Sequence, residues 1–295
     1  MDCIRPLLIR RLTEADVAAA QRLREQAGWN QSDDDWRRLL AWTPTGVWAA
    51  ESDARVVGTT AVITYGRRIA WVGMVLVDVA HRRQGIGRAL LMHALTYLDR
   101  LGVQTVALDS SPEGQPLYAS LGFADAFELE RWRGPHPTVD LSARPAGEVR
   151  SLHDADLAAV TDYDARRFGT PRRHILGAFQ AGHPGGCFLA ERADIDCGIA
   201  GYALSRPGAR AWHLGPLAAD DPATGDRLAR AAIASGAGDL SELVMDVVRP
   251  NGHAVGLARS LGLAPVRRFI RMTRGAPPPP VDFERLYTSA GPELG

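Results

Sequence analysis

Met74-Val75-Leu76-Val77-Asp78-Val79-Ala80-His81-Arg82-Arg83-Gln84-Gly85-Ile86-Gly87-Arg88-Ala89-Leu90-Leu91 is the most informative stretch of the chain. It reads as a hydrophobic strand that runs into a loop with two glycines, and the loop opens a helix. Phosphate oxygens need several backbone N–H groups converging at a helix start, where orphan donors and the helix dipole both favour an anion. Gly85 and Gly87 allow the main chain to approach a pyrophosphate without a Cβ clash. Arg82, Arg83 and Arg88 can add charge-assisted hydrogen bonds. The stretch is not a Walker loop, because GK[ST] is missing. It is not the Rossmann pattern either, since Leu90 stands where a third glycine belongs. Taken alone, the two glycines are better read as a structural turn with solvated arginines.

Around this stretch the first half reads as mixed α/β. Leu7–Arg11 is a short strand and Asp16–Gln26 a helix. Ser32 is placed to cap a helix through Ala41, with Asp33, Asp34 and Asp35 near its positive end. Val47–Glu51, Val56–Tyr65 and Ile69–Val77 have the β-branched and aromatic content of consecutive strands. After the loop, Arg88–Leu101 is helical, Thr105–Leu108 a strand, Gln115–Leu121 a short helix and Ala124–Trp132 a last strand.

The second half repeats the first. Leu12-Thr13-Glu14-Ala15-Asp16 recurs 140 residues later as Leu152-His153-Asp154-Ala155-Asp156, and Val47-Trp48-Ala49-Ala50-Glu51 as Cys187-Phe188-Leu189-Ala190-Glu191. Gly58 falls on Gly198 and Leu121-Gly122-Phe123 on Leu261-Gly262-Leu263, while Ala70-Trp71 meets Ala211-Trp212 after a one-residue slip. Two copies of one domain are therefore expected, at 1–135 and 147–275, joined by a linker at 136–146 that opens with Pro/Gly-containing sequence. A tail at 276–295 begins with four prolines, Pro277 to Pro280, and Thr288 to Gly295 is expected to fray.

Arg82-x-x-Gly85-x-Gly87 after a hydrophobic strand, followed by Leu117-Tyr118-x-x-Leu121-Gly122-Phe123, resembles the GNAT superfamily of acyl-CoA-dependent N-acetyltransferases. The resemblance covers about residues 7–134, and the second half resembles the same fold more faintly. It implies two tandem GNAT-like α/β domains, each a mostly antiparallel mixed sheet flanked by helices. It also implies acetyl-CoA as cosubstrate, with the pyrophosphate held at Arg83, Gln84, Gly85, Ile86, Gly87 and Arg88, and Arg82 opening the motif. The pantetheine and thioester would lie along the main chain of Val75, Leu76 and Val77. Protonation of the departing thiolate falls on Tyr118, a task that suits a positioned phenol.

The sequence also departs from the family pattern. Many members carry Asn seven residues before the tyrosine, where Ser111 stands here and can still bond the CoA arm. The place of a Glu base used by some members is taken by Val106. Asp109 is the best remaining carboxylate for the base, with a turn cap beside Ser110 and Ser111 as its other reading. Glu51 is less attractive because Glu191 recurs in the second copy, and Asp78 is better read as organising the loop. In that copy the motif positions fall on Ala223–Leu228, where Asp220, Asp221 and Asp226 would repel a pyrophosphate. Ala258 replaces the tyrosine. Asn251 and Asp246 fill the places missing in the first copy, as relics of duplication or, for Asp246, as a pocket wall.

Composition narrows the function classes. Hydrophobic residues make up 46% of 295 and charged residues 23%, with 34 basic and 34 acidic side chains. That balance speaks against a general nucleic-acid or anionic-membrane binder. The chain has no lysine, which excludes a Schiff-base lysine. Cys3, Cys187 and Cys197 have no metal-ligand spacing, so no metal is expected; Cys187 and Cys197 are read as buried reduced thiols in preference to a cross-strand pair. No signal peptide or membrane span is read, and a cytoplasmic protein is expected. The expected activity is acetyl transfer to a primary amine of a small molecule at one site in the first domain. A non-catalytic acyl-CoA sensor, and an acetyltransferase for protein N-termini or lysines, are the alternatives. Trp29, Asp33, Asp34, Asp35 and Trp36 would form a cation-binding cleft or, more simply, a solvated helix start over a buried Trp. The chain is read as a monomer with an internal pseudo-dimer or as a homodimer.

Overall fold

The computed structural model describes residues 7–138, 149–192, 198–234, 236 and 240–295. Two compact units emerge from its contacts. One comprises the chain up to Leu108 together with Arg274–Ala276, and the other Asp109–Thr273 with Pro277–Gly295. The division does not follow the sequence repeat, because the last strand of the first copy is counted with the second unit.

In the first unit the chain order is β1 (Leu8–Arg11), α1 (Val17–Ala27), α2 (Asp33–Trp42), β2 (Val47–Ser52), β3 (Arg55–Tyr65), β4 (Ile69–Val77), α3 (Ile86–Arg100) and β5 (Thr105–Ser110), the final two residues of β5 belonging to the second unit. The sheet runs β1-β2-β3-β4-β5 and is antiparallel except for β4 beside β5. That parallel pair is brief: Ile69, Ala70 and Trp71 face Thr105, Val106 and Ala107, and no further rungs form. Helix α3 buries Ile86, Leu90, Leu91, Ala94, Leu95 and Leu98, the i, i+4 spacing of one helix face, against β3 and β4. Each of its large aliphatic side chains contributes roughly 1.5–3 kcal/mol by leaving water. Residues Arg274–Ala276 complete the unit: Ala276 N–H donates to Gln104 O at 2.9 Å and Thr105 Oγ1 donates to Ala276 O at 2.9 Å.

The second unit contains α4 (Gln115–Ala119), β6 (Ala124–Pro135), β7 (Val149–Ser151), α5 (Leu157–Phe168), α6 (Arg173–Gly182), β8 (Cys187–Glu191), β9 (Ile199–Pro207), β10 (Trp212–Ala219), α7 (Pro222–Ala234), β11 (Glu242–Val248), α8 (Gly252–Ser260), β12 (Ala264–Gly275) and β13 (Leu286–Thr288), the final two residues of β12 belonging to the first unit. Its sheet order is β12-β6-β11-β13-β10-β9-β8-β7, with a further parallel contact between β10 and β11. Strand β6, from the first copy, is thus sandwiched antiparallel between two strands of the second.

The repeat is reproduced in side-chain detail. Arg10 reaches Glu51 at 2.8 Å and Asp16 at 2.8 and 2.9 Å; Arg150 reaches Glu191 at 2.7 Å and Asp156 at 2.8 and 2.9 Å. Glu51 and Glu191 are structural in the same way. Phe123 N–H bonds Tyr118 O, and Leu263 N–H bonds Ala258 O, around Gly122 and Gly262 at φ +86° and +76°. A left-handed helix end is where glycine has no Cβ penalty.

Several expectations change. The tail does not fray: Leu286, Tyr287, Thr288, Ala290 and Leu294 are buried, with exposures of 2% or less. Composition suggested a loose end, but the segment gains strand partners that no local pattern announces. Gly58 does not correspond to Gly198. A Cβ on Gly58 would meet Leu76 O at 3.0 Å and Leu90 at 2.9 Å; one on Gly201 would meet Ala218 O and Leu228, both at 2.7 Å. Gly201 is the counterpart, because the preceding hairpin is three residues longer in the second copy. Cys187 is buried and its thiol is pushed up to about 12 by desolvation, so it stays a neutral thiol; Cys3 and Cys197 lie outside the described residues. The first-copy acids lie at a helix start over a buried Trp. Asp35 and Ser32 make a reciprocal capping box, Arg37 pairs with Asp34 at 3.2 Å, and Trp36 is fully buried.

Candidate active site

Strand β4 is irregular where the site begins. Thr59 faces Leu76 and Ala61 faces Gly73, so Met74 and Val75 together oppose Thr60. This is a β-bulge, and Met74 takes φ +53°, a left-handed conformation that a non-glycine residue adopts at a cost. Thr59 Oγ1 donates to Met74 O at 2.8 Å and fixes the kink. Beyond it β5 has separated from β4, so Val75, Leu76 and Val77 have no strand partner on that side among the described residues. Leu76 is buried, while Val75 and Val77 are half-buried.

The loop that follows is pinned from α1. Asp78 accepts from Arg22 Nη1 at 2.5 Å, Ala80 N–H at 3.0 Å and Gln26 Nε2 at 3.3 Å, with His81 Nδ1 at 3.2 Å. The Arg22 hydrogen bond is the main reason that its carboxyl lies well below the usual carboxylate range. Gln26 Oε1 also accepts from Val79 N–H at 3.2 Å. Asp78 therefore organises the loop. Arg83 and Gly85 have φ +64° and +81°, and Ala89 N–H makes the first rung of α3 on Gly85 O at 3.0 Å. The amides of Ile86, Gly87 and Arg88 precede the helical ladder, and alternating positive φ turns loop amides toward a common concavity. Nothing lies within 4 Å of the place a Cβ would take on Gly85. Arg82, Arg83, Gln84 and Arg88 are exposed, and Arg82 Nε donates to Val77 O at 3.2 Å. The cradle is open, amide-rich and basic, which fits a pyrophosphate.

Tyr118, Ser111 and Asp109 belong to the second unit. Tyr118 is half-buried on α4, edge-on to Phe123 at 6.0 Å between ring centroids. Desolvation pushes its phenol up to about 12, so it is a neutral O–H donor throughout the physiological range. Ser111 holds the turn before α4: its Oγ accepts from Gly114 N–H at 3.3 Å and its carbonyl accepts from Ser110 Oγ at 2.7 Å. Asp109 is buried and chelated by Arg271 through Nε and Nη2, both at 2.8 Å. Burial pushes its carboxyl up, against the pull of Arg271. This is an ion pair of the interior, not a carboxylate at an open surface.

Asp246 repeats that arrangement. It accepts from Arg131 Nε at 2.7 Å and Nη2 at 2.8 Å, and His213 Nε2 lies 3.4 Å from it. Asp246 is thus one half of a buried ion pair and not the wall of an open pocket. Asn251 caps α8 by accepting from His253 and Ala254 N–H at 2.9 and 3.0 Å. Reading the sequence missed Thr59, Arg22 and Gln26, which act from other elements, and the Met74 bulge, which has no glycine to mark it.

A strand end left open on one side runs into an amide cradle at a helix start, an arrangement with the chemistry to hold an extended phosphate-bearing ligand. The family comparisons name it. Residues 17–123 match the acetyltransferase (GNAT) family model, and residues 160–288 match a second acetyltransferase (GNAT) domain model. The chain belongs to the GNAT acetyltransferases, in tandem-domain form, and is an acyltransferase. Holothin acyltransferase of Pseudoalteromonas sp. (strain SANK 73390) is 26% identical over 268 residues, covering 90% of this chain and 87% of that protein. A solved structure from Pyrococcus horikoshii has TM-score 0.81 at 21% identity and covers 100% of this chain and 99% of its own. A tandem GNAT protein from the clavulanic acid biosynthesis pathway has TM-score 0.65 at 17% identity, covering 93% and 100%. No helix among the described residues is long and apolar enough to cross a membrane.

Proposed function

We propose that the chain transfers the acetyl group of acetyl-CoA to a primary amine of a small molecule, at a single site in the first copy. The observation that carries this reading is the open edge of Val75–Val77 leading directly into the cradle at Arg83–Arg88. Acetyl-CoA supplies an acyl group activated as a thioester. Main-chain groups of Val75, Leu76 and Val77 hold the pantetheine and polarise the acyl carbonyl. The loop amides and Arg82, Arg83 and Arg88 hold the pyrophosphate, and Ser111 is assigned to the CoA arm. The amine nitrogen bonds to the carbonyl carbon as the C–S bond breaks. The thiolate takes the proton of Tyr118, and the proton of the attacking amine passes to water. Holding the arm in line with the amine supplies much of the acceleration. Asp109 is held in a buried bidentate pair with Arg271, so we assign no carboxylate base. The likeness to a holothin acyltransferase over most of both chains favours a small-molecule acceptor over a protein.

Calorimetric titration of acetyl-CoA tests the assignment. The wild-type chain should bind one equivalent, and Gly87→Trp should reduce the affinity by at least about 100-fold, the loss expected when two charge-assisted contacts are displaced. An unchanged affinity in the variant would remove the first-copy loop from the site.

A further inference from the structure

The second copy contains the same parting of strands, and it is filled. Strands β10 and β11 pair in parallel at Trp212–Leu214 and Leu243–Met245 and then separate, as β4 and β5 do. The matching contacts of Gly58 and Gly201 set Leu76 on Ala218, and hence Val75 on Leu217 and Val77 on Ala219. In the first copy those positions have no strand on the β5 side among the described residues. In the second, β13 lies against them: Thr288 faces Leu217 and Leu286 faces Ala218. Thr288 also faces Val247 of β11. Arg285 O accepts from Ala219 N–H and Ser289 N–H donates to Asp246 O, each at 3.0 Å, so the tail has rungs on both walls.

The rest of the tail is held as firmly. Asn251 Nδ2 donates to Glu284 O and Leu286 O at 3.2 Å, Arg206 Nη2 to Ala290 O at 3.0 Å and Arg172 Nη1 to Gly295 O at 2.6 Å. The Tyr287 ring packs on Gly225 in the first turn of α7, where any Cβ would come within 2.9 Å of it. The loop itself is shortened. Only Asp220 and Asp221 separate β10 from α7, and Asp221 accepts from Thr224 N–H at 2.9 Å and Thr224 Oγ1 at 2.6 Å at the helix start. A carboxylate occupies the end of the helix dipole that an anion would use.

We propose that Leu286–Ser289 is an intrachain stand-in for a pantetheine arm: the second cleft is a strand-binding groove that the chain's own tail keeps closed. Pantetheine is an extended chain with two amides, so the edge that hydrogen-bonds it also hydrogen-bonds a peptide strand. The proposal rests on the reading of Val75–Val77 as the acyl-CoA strand. It explains one cofactor site per chain by occupancy as well as by loss of the loop.

Two measurements test it. In the full chain, hydrogen exchange should show the amides of Leu286–Ser289 protected at least 100-fold over random coil, and saturation with acetyl-CoA should leave that protection unchanged. A chain ending at Pro280, shown by circular dichroism to be folded, should bind a labelled peptide of residues 282–295 with 1:1 stoichiometry, while the full chain should not. The same peptide with Tyr287→Ala should bind at least tenfold more weakly. Tail amides that exchange freely, or that lose protection when acetyl-CoA binds, would overturn the proposal, as would two acetyl-CoA equivalents per full chain. If the shortened chain does not fold, exchange in the full chain still decides. Protected tail amides in a chain that binds no acetyl-CoA would instead overturn the reading of the first copy, and the stand-in with it.

Discussion

Tyr118 carries the proton transfer in the proposed reaction, and its environment sets the pH behaviour. Desolvation raises the phenol from 10 to about 12, so it stays protonated as pH rises and gives up its proton only near the top of the range. The amine, by contrast, becomes nucleophilic as it loses a proton. We expect kcat to climb with pH and to show no alkaline fall below about pH 10, as Brønsted reasoning predicts for an acid of this strength. Tyr118→Phe should lower kcat by about 10²–10⁴-fold, the usual contribution of a positioned acid, and leave acetyl-CoA affinity within about twofold. Steady-state rates from pH 6 to 10 with calorimetry of both proteins check this. An alkaline limb in the wild type that disappears in the variant would show a much more acidic phenol. Asp109 behaves differently. Its partner Arg271 is visible only in three dimensions, 162 residues away, and so a strand-end carboxylate that looked available in the sequence is held in a buried ion pair.

Single elements show where sequence reading works and where it stops. Strand β4 and the N-cap of α2 were legible, because β-branched and aromatic content and a capping serine followed by acids are local patterns. Asp78 as loop organiser was legible too, but not the Arg22 and Gln26 side chains that fix it from a helix more than fifty residues earlier. The Met74 bulge was invisible, since it arises from a mismatch of register between β3 and β4 and not from any residue preference. Its support can be removed cleanly. Thr59→Val deletes the hydrogen bond to Met74 O in a buried position and leaves that carbonyl without this donor. We expect a stability loss of about 1–2 kcal/mol by urea denaturation. We also expect KM for acetyl-CoA to rise while CoA-independent folding signals keep their shape, because the bulge aims the Val75–Val77 edge. Unchanged acetyl-CoA kinetics would detach the bulge from cosubstrate binding.

At the scale of the whole chain, one strand of the first sequence copy has crossed into the sheet of the second. Strand β6 leaves the first copy and pairs with β11 on one edge and β12 on the other. Two buried ion pairs follow the same crossing: Asp109 of the first copy binds Arg271 of the second, and Asp246 of the second binds Arg131 of the first. Each carboxylate lies near the end of a corresponding strand, so a duplicated Asp–Arg pairing is now satisfied between copies. A cut at the expected linker would therefore separate partners, not domains. We expect residues 1–138 produced alone to aggregate, because β6 would present two unpaired edges, and to become soluble when 149–295 is coproduced and copurifies. Removing one partner of a buried pair strands the other charge, which costs about 3–5 kcal/mol. Arg271→Leu in the intact chain should accordingly lower the melting temperature by roughly 6–20 °C, and in the split chain it should weaken copurification. The charge-free pair Asp109→Leu with Arg271→Leu should recover most of both losses, since no buried charge is then left alone. Full solubility of residues 1–138 by themselves would mean that the copies fold independently and that the crossed pairs are incidental.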